Sequence, residues 1–167
     1  MTLRLILTRH AKSSWDDPTI EDHDRALNQR GYAAAKAIGG WLAEHDYCPE
    51  SVISSTARRT AETWAEIAPA CANTEKVQFT SALYMASPQR MMTILQGCRA
   101  QSTMLLSHNP GTAMLAEELV QTPPKHPKFF QYPSAATTVI SFDADSWADV
   151  TPNSGQVEAF VVPKDLI

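Results

Sequence analysis

Two short, predominantly apolar runs limit what this chain can fold into more than anything else in it. They are Leu3 to Leu7 and the "TMLLSH" segment at 103 to 108. Neither alternates apolar with polar residues, so neither suits a sheet with one wet face. Each reads as a strand covered on both sides, as in a parallel sheet. Helical patterns lie between and around them. Gly31 to Asp46 carries Tyr32, Ala35, Ile38 and Leu42 at helical spacing, and Gly39 with Gly40 either weakens that helix or admits a close neighbour. "SVISS" at 51–55 is a further strand. Thr56 is placed to cap a helix reaching about Cys71, with Ala57, Ala61, Trp64 and Ala68 on one face. Residues 77–80 read as a short strand. Ser87 and Pro88 open a helix using Met91, Met92, Leu95 and Cys98. Asn109 and Pro110 open another, running through Val120. Residues 13–30, broken by Pro18, and 121–134, with Pro123, Pro124, Pro127 and Pro133, read as loops. "ATTVISF" and "VEAFVV" alternate like strands about a turn at 153–155 and can pair as a hairpin.

This order predicts a three-layer α/β/α fold with a mostly parallel central sheet and some antiparallel pairing near the C-terminus. One domain over residues 1–167 is expected, with no repeat and no linker. At 44% hydrophobic residues the chain can bury a core, and a net charge of −4 argues against nucleic-acid binding through a basic surface. The apolar N-terminal run is too short for a membrane span or a signal peptide. Cys48, Cys71 and Cys98 are odd in number and lack C-x-x-C spacing, so neither a disulfide framework nor a zinc site is expected. The corresponding expectation is a cytoplasmic protein, monomeric by default, acting on neither membrane nor nucleic acid.

In open α/β sheets ligands bind at the carboxyl ends of the strands. The first strand ends in Thr8, Arg9 and His10, with Lys12 just beyond. "SVISS" runs into Thr56 and then Arg58 and Arg59, and the third strand ends in Ser107, His108 and Asn109. Taken singly, each group has an ordinary explanation: a solvated loop start, a structural histidine, an exposed helix face. Gathered at three strand ends, beside two helix N-termini with free N–H groups, they point to an anion. Arginine favours bidentate contact with phosphate oxygens, so the expected ligand is a phosphoryl group.

These residues also carry a family resemblance. "LTRHAKS" resembles the Arg-His-Gly signature of the histidine phosphatase (phosphoglycerate mutase-like) superfamily, with Ala11 where many members have glycine. "SSTARRTAET" resembles the second motif, Ser-x-x-x-Arg-x-x-x-Thr, which puts the motif arginine at Arg59. "LLSHNPG" resembles the segment of the second histidine. "RHAKSSW", "DHDRALNQRG", "SHNPG" and "YPSAATTVISFD", with the short length, look most like the SixA-type phosphohistidine phosphatases. The resemblance implies a phosphoglycerate mutase-like fold and a hydrolase in which His10 attacks phosphorus and is transiently phosphorylated. It implies that Arg9, Arg59 and His108 hold the phosphoryl oxygens, with His108 protonated when phosphate is bound, and that no metal or cofactor is used. Arg25, in the loop that folds over the family's pocket, and Asn109 are further candidates for substrate binding. Arg25 has the alternative of a surface pairing with Asp22 or Asp24, and Asn109 that of a helix cap.

One departure from the pattern matters. Many members carry an acid that protonates a leaving alkoxide, and no good general acid is legible here. Asn109, not aspartate, stands beside His108, and Glu75 precedes its strand; Asp16, Asp17 or Glu21 could reach in from the loop. General-acid help is worth about 10²–10⁴-fold, and phosphohistidine needs it less than an ester does. The substrate expected is therefore a phosphohistidine-containing protein. A small phosphate ester and a low-turnover phosphoprotein-binding module are the alternatives. A mutase is disfavoured by the short chain.

Overall fold

The computed structural model describes residues 1–167. Six strands form one sheet: β1 (Thr2–Arg9), β2 (Ser51–Ser55), β3 (Lys76–Thr80), β4 (Ser102–Ser107), β5 (Thr137–Asp143) and β6 (Gln156–Val161), in the spatial order β3-β2-β4-β1-β5-β6. The pairs β1–β4, β2–β4 and β2–β3 are parallel, and β1–β5 and β5–β6 antiparallel. The mixed sheet with its antiparallel C-terminal side is the one the sequence pattern predicts. Four helices flank it: α1 (Gln29–Glu44), α2 (Arg58–Ile67), α3 (Pro88–Gln96) and α4 (Gly111–Leu119).

The apolar runs have the expected cause. Successive β1 side chains point to opposite faces, and both faces are covered. Leu3, Leu5 and Leu7 join a buried cluster with Met91 and Leu95 of α3 and Leu115 and Leu119 of α4. Ile6 joins the other cluster, with Ala35, Ile38 and Leu42 of α1 and Trp64 and Ile67 of α2. Each such aliphatic side chain, fully buried, contributes about 1.5–3 kcal/mol. Gly39 lets α1 lie on α2: a Cβ there would sit 3.0 Å from the Ile67 Cα, whereas Gly40 faces open space.

Three local expectations change. Thr56 does not cap α2; the N-cap is Ala57, and Ser55 Oγ accepts the Ala57 N–H instead. Thr56 is drawn away by His23, whose Nε2 lies 2.9 Å from its hydroxyl. The helix ends at Ile67 and tightens into a 3₁₀ turn at Ala68–Ala70, because Pro69 cannot donate in the α ladder. The third concerns cysteine: Cys48 and Cys71 form a disulfide, with Cα atoms 5.3 Å apart, and Cys98 is free. Sequence spacing misled here. Cys48 lies just before β2 and Cys71 just after the Ala68–Ala70 turn, so the β2–α2 unit returns its two ends to one edge of the sheet. No helix is long and apolar enough to cross a membrane.

Candidate active site

The carboxyl ends of β1, β2 and β4 open into a cavity of about 370 Å³. Its wall brings together Arg9, His10, Arg25, Arg59, His108 and Asn109, all six of the sequence candidates, with Lys12, Asp22, Trp15 and Met85. Arg58 lies outside, exposed and paired with Glu62 one turn along α2.

His10 continues β1 past its last ladder residue. Its N–H donates to Ser107 O, and its carbonyl accepts from Ala135 N, so strand neighbours on both sides hold its backbone. The ring Nδ1 lies 2.6 Å from the Ala11 carbonyl. A carbonyl only accepts, so Nδ1 carries the proton and Nε2 keeps its lone pair. The Ala11 peptide is itself held: its N–H donates to Thr63 Oγ1 at 3.0 Å, and Thr63 in turn donates to Arg59 O.

The flanking residues of the second motif thereby acquire physical roles. Thr63, one turn after Arg59 on α2, orients the peptide that fixes the His10 tautomer. Ser55, at the other end of the motif, lies 2.8 Å from His108 Nε2. The two histidine rings are 5.2 Å apart between centroids. Arg9 donates to Tyr132 O, and the Asn109 amide donates to the same carbonyl. Asn109 Oδ1 also accepts from Ala113 N in the first turn of α4, whose N-cap is Pro110, so Asn109 both lines the cavity and braces the start of the helix.

Three buried nitrogens in this wall have no protein partner: Arg9 Nε, Arg59 Nε and His108 Nδ1. Buried polar groups without partners are rare in folded proteins, and they cluster where a ligand completes them. Electrostatics agrees. Burial, with the positive charge of Arg9, Arg59 and Arg25, pushes His10 down to about 3 despite the Ala11 hydrogen bond. Burial, then His10 and Arg59, also pushes His108 down to about 3. Both rings are therefore neutral at pH 7 in the ligand-free protein. An anion among these groups would raise the His108 value again.

The sequence reading missed Asp22. The loop acids that the sequence offers to the cavity are Asp16, Asp17 and Glu21, and none of the three lines it. It is Asp22 that does so, at a 3₁₀ turn over Asp22–Asp24. Its carboxylate accepts from Arg59 Nη2 at 3.0 Å, from Arg25 Nε at 3.2 Å and from the Tyr84 hydroxyl, while its backbone carbonyl accepts from Arg59 Nη1. Arg25 makes the Asp22 pairing that its alternative reading expects, and it also lines the cavity. It also donates to Ser13 Oγ and stacks 3.6 Å from the Trp15 ring centroid. Burial alone would raise the Asp22 carboxyl, but the hydrogen bonds from Tyr84 and Arg59 and the nearby positive charge hold it at about 2. An acid so ionised cannot protonate a leaving group at neutral pH. The only sequence clue to Asp22 was its place three residues before Arg25.

A larger open groove, about 570 Å³, runs along β6 beside Lys125 and His126, but it holds none of the unpartnered buried nitrogens. No group of three or more His, Cys, Asp or Glu side chains converges as a metal site would require.

Fold and site together define an α/β protein with a paired-histidine, arginine-lined cavity for an anion. The model of the histidine phosphatase superfamily (branch 1) matches residues 5–84. The uncharacterised protein Rv1276c of Mycobacterium tuberculosis is 31% identical over 166 residues, 93% of this chain and 99% of its own length. A chloroplastic protein of Arabidopsis thaliana, At3g52155, is 48% identical over 60 residues, 36% of this chain and 28% of its own. Among solved structures, a protein assigned as phosphohistidine phosphatase SixA from Nakamurella multipartitia superposes with a TM-score of 0.82 at 25% identity, covering 98% of this chain and 97% of that one. The protein histidine phosphatase SixA bound to tungstate superposes with a TM-score of 0.80, covering 99% and 100% of the two chains; at 19% identity this likeness speaks to the fold. The chain belongs to the histidine phosphatase superfamily.

Proposed function

We propose that the protein is a phosphohistidine phosphatase of the SixA kind, acting on a phosphohistidine-containing protein through a phosphorylated His10. The observation that carries this reading is a neutral His10 with its proton fixed on Nδ1, facing a cavity where three buried nitrogens lack partners. In the proposed cycle His10 Nε2 attacks phosphorus in line with the leaving group. The positive ring that results keeps its Nδ1–H on the Ala11 carbonyl. Arg9, Arg59 and protonated His108 hold the equatorial oxygens and offset charge as the transition state spreads. Water then attacks phospho-His10, restoring the neutral ring and releasing phosphate; dividing the transfer into two steps lowers each barrier.

The choice of phosphohistidine over an alkyl ester is supported by Asp22. It is the only carboxylate among the cavity residues, and it is held ionised by two arginines and a tyrosine. An alkoxide leaving group would lack an acid.

The test compares phosphate release from a phosphohistidine peptide by the wild type and by His10→Ala. The wild type is expected to turn over and to carry acid-labile, base-stable phosphate on His10, and the variant to fall to background. Turnover of the variant at the wild-type rate would remove His10 from the mechanism.

A further inference from the structure

Asp22 is the one negative side chain in the wall of a cationic cavity, and nothing in the attack by His10 requires it. Its side chain is 47% exposed; Oδ2 accepts from both Arg59 and Tyr84, whereas Oδ1 accepts one hydrogen bond, from Arg25 Nε, and keeps a lone pair for a ligand. We propose that Asp22 contacts the leaving imidazole, accepting a hydrogen bond from the ring nitrogen that does not carry phosphorus and keeping a proton there. This inference rests on the phosphohistidine reading above.

The chemistry fixes what such a contact does. A phosphorylated imidazole has one free ring nitrogen, which titrates near the ordinary imidazole value of about 6.5. If that nitrogen is bare, cleavage of the P–N bond expels an imidazolate anion. If it is protonated, the bonding pair returns to a cationic ring and neutral imidazole leaves. The His10 Nε2 lone pair forms the new N–P bond, the old N–P pair goes to the substrate ring, and the distal proton stays where it is. No external acid is consumed. The two rings are then held alike, each by an oxygen acceptor on its distal nitrogen: the Ala11 carbonyl for His10, and the Asp22 carboxylate for the substrate.

The surroundings make this acceptor necessary. Arg9, Arg25, Arg59 and Lys12 line the same wall, and each disfavours a cationic substrate ring. The groups that bear on Asp22 itself come from three directions. Arg59 reaches it from α2, Arg25 from its own loop, and Tyr84 from the segment before α3. Tyr84 packs edge-on against His23 and His108, and His23 lies 3.6 Å from Asp24. An alkyl phosphate gains nothing from an ionised carboxylate here, so the residue selects between substrate classes.

The experiment measures kcat/KM for a phosphohistidine peptide and for p-nitrophenyl phosphate between pH 5.5 and 8.5, in the wild type, Asp22→Asn and Asp22→Glu. This parameter reports transfer to His10 and omits the hydrolytic step common to both substrates. Asp22→Asn loosens Arg59 and Arg25 for both substrates, so the ratio is the readout. The phosphohistidine value is expected to fall about tenfold or more beyond any change with the aryl ester, and its alkaline limb to move down by about one pH unit. Asp22→Glu is expected to recover part of both effects. An equal loss on the two substrates with an unmoved pH profile would overturn the assignment of Asp22 while leaving the phosphohistidine reading intact. Failure of the wild type itself to release phosphate from the peptide, with the ester still hydrolysed, would overturn that reading.

Discussion

A single backbone carbonyl decides what His10 can do. With its Nδ1 proton committed to Ala11, the ring presents a lone pair from Nε2, and burial among arginines keeps it unprotonated far below the usual imidazole range. The same burial has a cost that depends on pH. Unfolded histidines titrate near 6.5, whereas His10 and His108 do so at about 3. Between those values the unfolded chain binds more protons than the folded one, so stability declines as pH falls from about 6.5 toward 3. Sulfate, which stays dianionic through this range, should oppose the decline. An anion stabilises the His108 cation, whose Nε2–H can donate to Ser55 and whose Nδ1–H is free for the ligand. Sulfate affinity is therefore expected to rise as pH is lowered from 7 to 5, by up to about tenfold per unit. Titration calorimetry would read this directly, and affinity independent of pH would separate His108 from the anion site.

At the scale of elements, the start of α1 is fastened to the chain just after His10. The Lys12 carbonyl accepts from Asn28 N, and Asn28 caps α1 by accepting from Gly31 N. A Cβ on Gly31 would collide with that same Lys12 carbonyl, while one on Gly40 meets nothing within 4 Å. Gly31→Ala is expected to destabilise by about 3 kcal/mol, lowering Tm by about 6–12 °C in a chain of this size. Gly40→Ala, which adds helix propensity, should stabilise by up to about 1 kcal/mol. Thermal melts of the pair check this, and similar Tm values would mean that α1 does not rest on Lys12. The strands and helices themselves were readable because their signals are local: apolar runs for β1 and β4, and Ser87 with Pro88 for α3. The contacts that bring Asp22 inward were not readable. They depend on how the 13–30 loop returns, through the Ser13–Leu27 bridge and through Glu62 accepting from Leu27 N. A run of acids carries no mark of which one will meet an arginine. The Thr56 cap failed for a similar reason, since its competitor His23 is 33 residues away.

Across the whole molecule, the chemistry sits at one edge of the sheet and the disulfide at the other. His10, Ser55 and His108 lie at the carboxyl ends of β1, β2 and β4, whereas Cys48 and Cys71 lie just before the amino ends of β2 and β3. The bridge closes a 23-residue separation that includes β2 and α2, the units supplying Ser55, Arg59 and Thr63. A cross-link of that span restricts the unfolded chain by about 3 kcal/mol, and it touches no group in the cavity. Removing it should therefore change stability without changing the active-site constellation. Cys48→Ser is expected to lower the unfolding free energy in non-reducing urea titrations by about 2–4 kcal/mol and to leave kcat/KM within twofold of wild type. Dithiothreitol should bring the wild type to the same midpoint and raise the thiol titre from one, Cys98, to three. Loss of turnover on reduction, with the fold retained, would instead mean that strain at the amino edge of β2 is felt at Ser55 and Arg59.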